Sequence, residues 1–424
     1  MDHETQHLLE SETTSQIEQS APTTDQQLVP EKEGTLKVSQ GIFNLVNTII
    51  GSGFLTLPYN LMLNGWLGGT IEMTAFCILT ALSCFQLIDI STETHCYQYY
   101  AIARRLFQSQ SWGIVISLIM MIQTGGSLIS YSIVIQQNFF WWTRENDFLY
   151  IQLTLWAFML LIIFPLASLQ KLDFLHWTSY ITIFVVVYIT GVTVYYFFSD
   201  SFDAQPPVIY HMDMKSLTSL PLFQNAFCCH YQIANIYRDL KNKTPQKMRK
   251  IVVTNVSIVY TLYAIVALFG YFTFTSDLRS NLLDVFAHYA GQKWYLHAAN
   301  VAMLFCMASH YPLPCFGLRR TIESLFWKDT DAPKLYRILI ALTIIVIATL
   351  VGSFVKEIHS VLDYTSSLAG SCVVFIFPAL FSYKLWRERG GKLRLCGAIG
   401  GLITGGFVMV MGLVSTIVGQ VNAK

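Results

Sequence analysis

The chain has 424 residues, of which 53% are hydrophobic and 12% are charged, whereas an ordinary soluble domain is about 25% charged, so this composition excludes a soluble enzyme. The formal net charge of +1 leaves no excess of basic residues for binding nucleic acid. The apolar residues fall in blocks near or above the roughly 18 residues that span a bilayer core, which predicts a polytopic membrane protein.

The first segment of the chain, residues 1–38, is polar and rich in Ser, Thr, Gln and Glu. It has no apolar core of a signal peptide, so we expect a disordered cytoplasmic tail. Within it, Glu4, Leu8 and Leu9 have the acidic dileucine spacing that clathrin adaptors read as an endosomal or lysosomal address. The alternative is an ordinary tail in which this short pattern occurs by chance.

Eleven apolar segments follow the tail, and they predict an all-α protein with eleven transmembrane helices. Their bounds are 39–58, 66–90, 112–141, 148–167, 176–198, 217–237, 251–275, 294–316, 335–354, 358–383 and 395–420. The sixth segment carries polar side chains that lipid would not tolerate, among them Gln224, Asn225 and His230. We therefore expect it to lie inside the bundle or to be interrupted.

The Lys and Arg residues are concentrated in alternate loops. If the N-terminus is cytoplasmic, the basic loops 238–250, 319–337 and 384–394 are cytoplasmic as well. This asymmetry follows the positive-inside rule and predicts a cytoplasmic N-terminus and an external C-terminus. Adding or removing one helix would move every later loop to the other side and remove the asymmetry.

The helix count suggests two units of five helices plus one. Because five is odd, a second copy of such a unit starts on the opposite side of the membrane, as in the inverted repeats of many transporters. We predict a first repeat over 39–199, a second over 200–386, and an eleventh helix with the C-terminus over 387–424. The first and sixth helices then hold equivalent positions.

The first helix is interrupted at mid-depth by Gly51, Ser52 and Gly53. Two glycines so close permit unwinding, which exposes backbone groups. Freed N–H groups suit a carboxylate and freed carbonyls suit an ammonium group, so the break predicts a site for a zwitterion. The alternative is that these glycines only allow two helices to pack closely.

Six stretches resemble, in order, one known family: FNLVNTIIGSGFLTLPY (43–59), GSLISY (126–131), FPLASLQKLDFL (164–175), NAFCCHYQIANIYRDL (225–240), ALFGYFTF (267–274) and FIFPALFSYKLW (375–386). They resemble the amino acid/auxin permease superfamily, in particular its sodium-coupled neutral amino acid transporters (solute carrier family 38-like) and the related vacuolar amino acid transporters. The resemblance covers about 38–390. It implies the LeuT-like fold with a five-plus-five inverted repeat.

The resemblance also implies a substrate site. The α-carboxylate is expected at the backbone of Ile50, Gly51, Ser52 and Gly53. The ammonium group is expected at the backbone of Ala226, Phe227 and Cys228. The side chains expected to face the substrate are Gln123, Ser127, Tyr131, Asn225 and Cys229.

The resemblance implies a cation site between the first and eighth helices. Asn47 matches the family's first-helix asparagine, and Ser309 can supply a hydroxyl, so both are Na⁺ ligands in this interpretation. For Asn47 the alternative is a hydrogen bond between helices. His310 instead resembles the proton-linked vacuolar members, and Glu72 is a second intramembrane group that can bind a proton. The coupling ion, Na⁺ or H⁺, stays open.

The expected function is a secondary transporter of small neutral L-amino acids of the glutamine and alanine class, working by alternating access in a lysosomal, vacuolar, endosomal or plasma membrane. No cofactor is expected apart from the coupling ion, and an enzyme is disfavoured. The alternative is an amino acid sensor that signals through its tail. The nine cysteines show no metal-ligand spacing, and His230 is interpreted as a structural residue.

Overall fold

The computed structural model describes residues 34–143, 148–169, 175–199, 205–289, 293–327, 333–355 and 357–422. In these ranges the chain is almost entirely helical and forms no strand, although Leu36 and Leu240 make one isolated β-bridge. The dileucine pattern at Glu4, Leu8 and Leu9 lies outside the described residues. The chain is a multi-pass membrane protein, as the composition predicts.

Within the described ranges, nine helices are long and apolar enough to cross a membrane. They are Ser52–Thr94, Gln110–Phe139, Phe148–Ala167, Tyr180–Ser199, Pro245–Asp277, Trp294–Glu323, Lys334–Phe354, Ile358–Arg389 and Lys392–Gly419. The predicted first and sixth helices are not among them as separate spans, because each is broken into shorter pieces. We keep the ordinal names of the predicted helices, whose total of eleven stays a prediction.

The first helix begins as Val38–Ile49 and ends at an extended Ile50. After Gly51 the chain resumes as a short 3₁₀ turn, Ser52–Thr56, which leads into the long helix Leu57–Thr94. That helix contains the rest of the first predicted helix and all of the second. The predicted interruption of the first helix is therefore present.

The boundary between the first and second helices is an elbow at Gly65. Its φ of +75° lies in the left-handed region that favours glycine. A Cβ here would lie 2.8 Å from the carbonyl of Ile209, so a larger residue would collide with the segment that precedes the sixth helix. That segment pairs with the elbow, since the N–H of Trp66 donates to Val208 O at 3.1 Å.

The sixth helix is also broken, into Ser219–Ala226 and His230–Asp239. No glycine or proline lies at the break, so polar contacts must hold the irregular backbone. Gln224, completely buried, donates to Ser366 O at 3.0 Å and accepts from the Ser371 hydroxyl at 3.1 Å, both on the tenth helix. The polar side chains predicted that this helix lies inside the bundle or is interrupted, and both are the case.

The other helices lie close to their predicted positions. Their bounds are Gln110–Thr143 (third), Phe148–Phe158 with Phe164–Ala167 (fourth), Leu175–Ser199 (fifth), Pro245–Phe274 (seventh), Trp294–His310 with Pro312–Phe326 (eighth), Lys334–Phe354 (ninth), Ile358–Thr365 with Phe377–Arg389 (tenth) and Lys392–Asn422 (eleventh). Shorter helices, Tyr99–Phe107 and Leu282–Tyr289, connect them.

The eighth helix differs most from its prediction. We expected it to end at 316, but it continues to Phe326. Pro312 opens the second part of this helix, where a missing N–H and a fixed φ are tolerated. The predicted end is therefore wrong because the helix continues beyond the apolar block through charged residues, of which Arg319 pairs with Glu323 one turn later at 3.5 Å.

Ion pairs join helix ends at one face of the bundle. Asp89 near the end of the second helix pairs with Arg249 at the start of the seventh, and Glu93 pairs with Arg389 at the end of the tenth. Arg394, at the start of the eleventh, lies 3.7 Å from Asp89. The basic loops 238–250 and 384–394 therefore share one face, as their predicted alternation requires. We call it the N-terminal face, because residues 34–37 lie there against the loop that follows the sixth helix.

Candidate functional site

The two helix breaks lie against each other in the middle of the bundle. A Cβ on Gly53 would lie 3.4 Å from Ala226 Cα, so the backbones of the first and sixth helices touch at their breaks. A Cβ on Gly51 would lie 2.8 Å from the hydroxyl of Tyr131 on the third helix. The lack of a side chain therefore serves a different purpose at each glycine. At Gly53 it lets the first and sixth helices pack closely, and at Gly51 it leaves room for the Tyr131 hydroxyl.

At the break in the first helix, one backbone carbonyl is already hydrogen-bonded, whereas the N–H groups at the start of the next turn are available to a ligand. The carbonyl of Ile49 accepts a hydrogen bond from Tyr263 at 3.1 Å, so one freed acceptor is already satisfied. The N–H groups that open the turn at Ser52 lack acceptors inside that turn, as at any helix start, and carry a partial positive charge. The side chain of Ser52 is occupied by a 2.7 Å hydrogen bond with Ser130. The break therefore offers N–H donors suited to a carboxylate.

A cavity of about 1130 Å³ extends from these breaks to the N-terminal face. The predicted substrate residues that line it are Gly51, Ser52, Gly53, Gln123, Ser127, Tyr131, Asn225 and Cys228. The other four, Ile50, Ala226, Phe227 and Cys229, are buried outside its lining. For the first three the prediction concerned backbone atoms, and it stays a prediction.

Cys229 does not face the cavity as expected. Its sulfur lies 3.8 Å from the sulfur of Cys84 on the second helix, and its side chain is completely buried. The backbone at Cys229 is not helical, with φ −132° and ψ 5°, so Cys228 and Cys229 turn to different surroundings. Cys229 therefore lies outside the lining of the cavity, although the resemblance placed its side chain there.

Polar side chains cross the cavity between the third and sixth helices. Gln123 Nε2 donates to Asn225 Oδ1 at 2.9 Å, which holds the two helices in register at the break. The other amide atom, Gln123 Oε1, is buried and has no hydrogen-bond partner among the described residues. A buried acceptor without a partner costs free energy, so a donor group on a ligand would be favoured here.

The cavity is lined by uncharged residues at the breaks and by charged residues towards the N-terminal face. Among the described lining residues, the charged ones are Arg238, Asp239, Arg320 and Glu323. Arg238 and Asp239 end the second half of the sixth helix, and the other two lie in the second half of the eighth. The region around the breaks can therefore hold a zwitterion whose own charges meet backbone dipoles and whose side chain is neutral.

The predicted cation site contains an imidazole. His310 Nε2 lies 2.7 Å from Asn47 Oδ1 and 2.8 Å from Thr182 Oγ1, and all three side chains are buried. The hydroxyl of Ser309 donates to the carbonyl of Cys306 in its own helix at 2.9 Å. The structure therefore joins the first, fifth and eighth helices through His310. Thr182 was missed, because a single threonine in an apolar helix has no signature in the sequence.

Glu72 lies in a different place from His310. Its Oε2 accepts hydrogen bonds from Asn64, beside the Gly65 elbow, and from the Ser219 hydroxyl at 2.7 Å, where the sixth helix starts. Its Oε1 is buried without a partner in the described structure. Glu72 thus links the end of the first helix to the start of the sixth, at the opposite end from the N-terminal face.

Comparisons with known proteins agree with this architecture. The sequence model of a family described as transmembrane amino acid transporter protein matches residues 34–418. The fold is similar to that of Mhp1, a nucleobase-cation-symport-1 family transporter, in a closed conformation with bromovinylhydantoin bound (TM-score 0.59, 12% identity, 93% of each chain covered). It is also similar to that of a Na⁺-coupled sialic acid symporter in a substrate-bound outward-open state (TM-score 0.51, 12% identity, 91% of this chain and 90% of the other).

At such low identity the two structures bear on the fold alone. They confirm the predicted fold class, an all-helical membrane protein of the LeuT-like type. The residue bounds of the repeats, 39–199 and 200–386, and of the C-terminal part, 387–424, stay predictions.

Proposed function

Since the chain belongs to the transmembrane amino acid transporter family, we propose that it carries small neutral L-amino acids of the glutamine and alanine class by alternating access, coupled to protons. The observation that carries this proposal is the cavity at the two helix breaks, whose described walls are uncharged there. The chain is a membrane transporter of the amino acid type, not an enzyme.

Backbone dipoles bind the two charges of the substrate in this proposal. The N–H groups that follow Gly51 bind the carboxylate, because the start of the helical turn carries a partial positive charge. Carbonyls at the sixth-helix break, over 226–228, bind the ammonium group. The unpartnered Gln123 Oε1 accepts a further hydrogen bond, from the ammonium group or from the side-chain amide of glutamine. A charged substrate side chain would find no counter-ion among the described lining residues at the breaks, since the charged ones lie towards the N-terminal face, and its desolvation cost disfavours it.

Proton coupling rests on the contact of His310 with Asn47. An imidazole gains a positive charge when it binds a second proton, and it does so near neutral pH when it is unperturbed. Asn47 lies one helical turn before Gly51, so a change in the charge of His310 acts on the helix that forms the carboxylate site. The oxygens of Asn47 and Thr182 are Na⁺-type ligands, and they would serve a sodium ion only if the imidazole between them moved away.

Uptake into proteoliposomes tests the proposal. Purified protein is reconstituted, and uptake of radiolabelled glutamine and alanine is measured with an inward proton gradient or with an inward Na⁺ gradient. We expect the proton gradient to accelerate uptake, and Na⁺ to act no differently from K⁺. Unlabelled alanine should compete with the label, whereas lysine and glutamate should not. Uptake driven by Na⁺ alone would overturn proton coupling, and competition by lysine or glutamate would overturn the neutral class.

Removal of the tail distinguishes a transporter from a sensor. Deletion of residues 1–33 keeps Leu36, whose backbone pairs with the loop after the sixth helix, so the bundle should fold as before. We expect uptake per molecule of protein to stay unchanged. A full-length protein that binds amino acid without flux, and whose signalling disappears when the tail is deleted, would favour the sensor. If clathrin adaptors read Glu4, Leu8 and Leu9, the same deletion should move a fluorescent fusion from endosomal or lysosomal membranes to the plasma membrane.

A further inference from the structure

Two thiols and an imidazole meet behind the break of the sixth helix. The sulfur of Cys84, on the second helix, lies 3.8 Å from the sulfur of Cys229 and 3.6 Å from His230 Nε2. All three of these atoms lie within 4.8 Å of one another, and none of the three side chains is exposed. They lie outside the lining of the substrate cavity, which Cys228 reaches instead.

The distances from the Cys84 sulfur to the other two atoms match the distances between ligand atoms in a tetrahedral zinc site. With Zn–S bonds of about 2.3 Å and Zn–N bonds of about 2.0–2.1 Å, a tetrahedral zinc site has sulfur–sulfur edges of about 3.8 Å and sulfur–nitrogen edges of about 3.6 Å. The two distances measured from Cys84 have these values. The third edge, between Cys229 and His230, is shorter than 4.8 Å, and a side-chain rotation of His230 would bring it to the length of the other sulfur–nitrogen edge.

The chemistry of the three groups selects the class of ion. Thiolate and imidazole ligands favour zinc and similar borderline-soft cations over Na⁺, Mg²⁺ and Ca²⁺, which prefer oxygen. When Zn²⁺ binds, the two thiols release their protons to solvent, and two thiolates with a neutral imidazole balance the charge of the ion. A neutral complex is what a buried position inside a membrane protein tolerates.

We propose that Cys84, Cys229 and His230 form a binding site for a divalent cation of the Zn²⁺ class. Cys229 and His230 stand where the sixth helix resumes after its break, and Cys84 stands on the second helix. The bound ion therefore fastens the irregular part of the sixth helix to the second helix. Three protein ligands leave a fourth position for water.

Cobalt reports this site directly in the purified full-length protein. The protein is reduced, freed of metal, and titrated with Co²⁺, which replaces Zn²⁺ in thiolate sites and absorbs visibly there. We expect a thiolate-to-cobalt charge-transfer band that saturates at one equivalent and disappears when Zn²⁺ is added. Cys84→Ser, Cys229→Ser and His230→Ala should each weaken Co²⁺ binding at least about tenfold, as is common when ligands or their supporting groups are lost. The matched controls, Cys77→Ser on the same helix and Cys228→Ser beside Cys229, should keep the band.

A second measurement needs no variant and so does not depend on how the variants fold. Because Cys84 and Cys229 are buried, N-ethylmaleimide is added together with urea at a concentration that partly unfolds the wild-type protein. Zn²⁺ should then protect both thiols, as read by mass spectrometry of peptides, while the exposed Cys396 still reacts. Absence of both the cobalt band and the protection would overturn the proposal. A disulfide between Cys84 and Cys229 in protein purified without reductant, with no cobalt band after reduction, would also overturn it.

Discussion

Replacement of His310 by glutamine is expected to uncouple amino acid uptake from the proton gradient. The glutamine amide can still donate a hydrogen bond to Asn47, but it cannot bind a second proton. Coupling free energies of about 1–3 kcal/mol correspond to roughly 5- to 150-fold changes in affinity. We therefore expect the stimulation by an inward proton gradient to disappear, while exchange of labelled for unlabelled substrate at equal pH continues.

The matched control is His297→Gln, the same replacement near the start of the same helix. It should keep the stimulation by protons. Both rates are read in proteoliposomes, with exchange as the test that the protein is folded and active. If His310→Gln keeps full proton stimulation, the proton binds elsewhere, and Glu72 becomes the group to test. If Asn47→Ala removes a Na⁺-driven uptake instead, the site holds sodium.

Replacement of Gly51 by alanine is expected to weaken substrate binding strongly. The added Cβ would lie 2.8 Å from the Tyr131 hydroxyl, closer than atoms in contact can approach, and it would stand at the proposed carboxylate site. Overpacking costs about 1–3 kcal/mol, which corresponds to a rise of roughly 5- to 150-fold in the substrate concentration for half-maximal uptake. The measurement is uptake against glutamine concentration.

Two further variants distinguish this clash from a general effect of alanine. Gly125→Ala adds the same methyl group on the third helix, where nothing lies within 4 Å, and it should leave uptake unchanged. Tyr131→Phe removes the hydroxyl, after which the nearest ring atom, Cε1, lies 3.4 Å from the added Cβ. The Gly51→Ala, Tyr131→Phe double variant should therefore bind substrate better than the two single effects predict together. If the free-energy effects of the two single variants on substrate binding simply add in the double variant, residues 51 and 131 are not in contact.

Features that depend on neighbours along the chain were predicted well. The length of each apolar block is set by the thickness of the bilayer, so helix positions follow from composition. The Gly51 break and the polar sixth helix were visible because glycine and buried amides are local departures from an apolar helix. The eighth helix shows the limit of such arguments, since it continues beyond its apolar block through Arg319 and Glu323, which pair inside the bundle.

Contacts between distant parts of the chain could be found only in the folded structure. The contact of His310 with both Asn47 and Thr182, and the meeting of Cys84 with Cys229 and His230, depend on how each helix is rotated about its axis. Neighbouring side chains on a helix point about 100° apart, so an error of one residue turns a side chain away from its partner. Cys229 shows this directly, because the irregular backbone at the break turned it from the cavity to Cys84. The sequence by itself determined that this is a membrane protein whose first helix is interrupted at Gly51 and whose sixth helix is too polar to face lipid, because both features are local. Tertiary packing decided that an imidazole lies at the proposed ion site and that two thiols and a second imidazole lie behind the break of the sixth helix, because these groups meet through space.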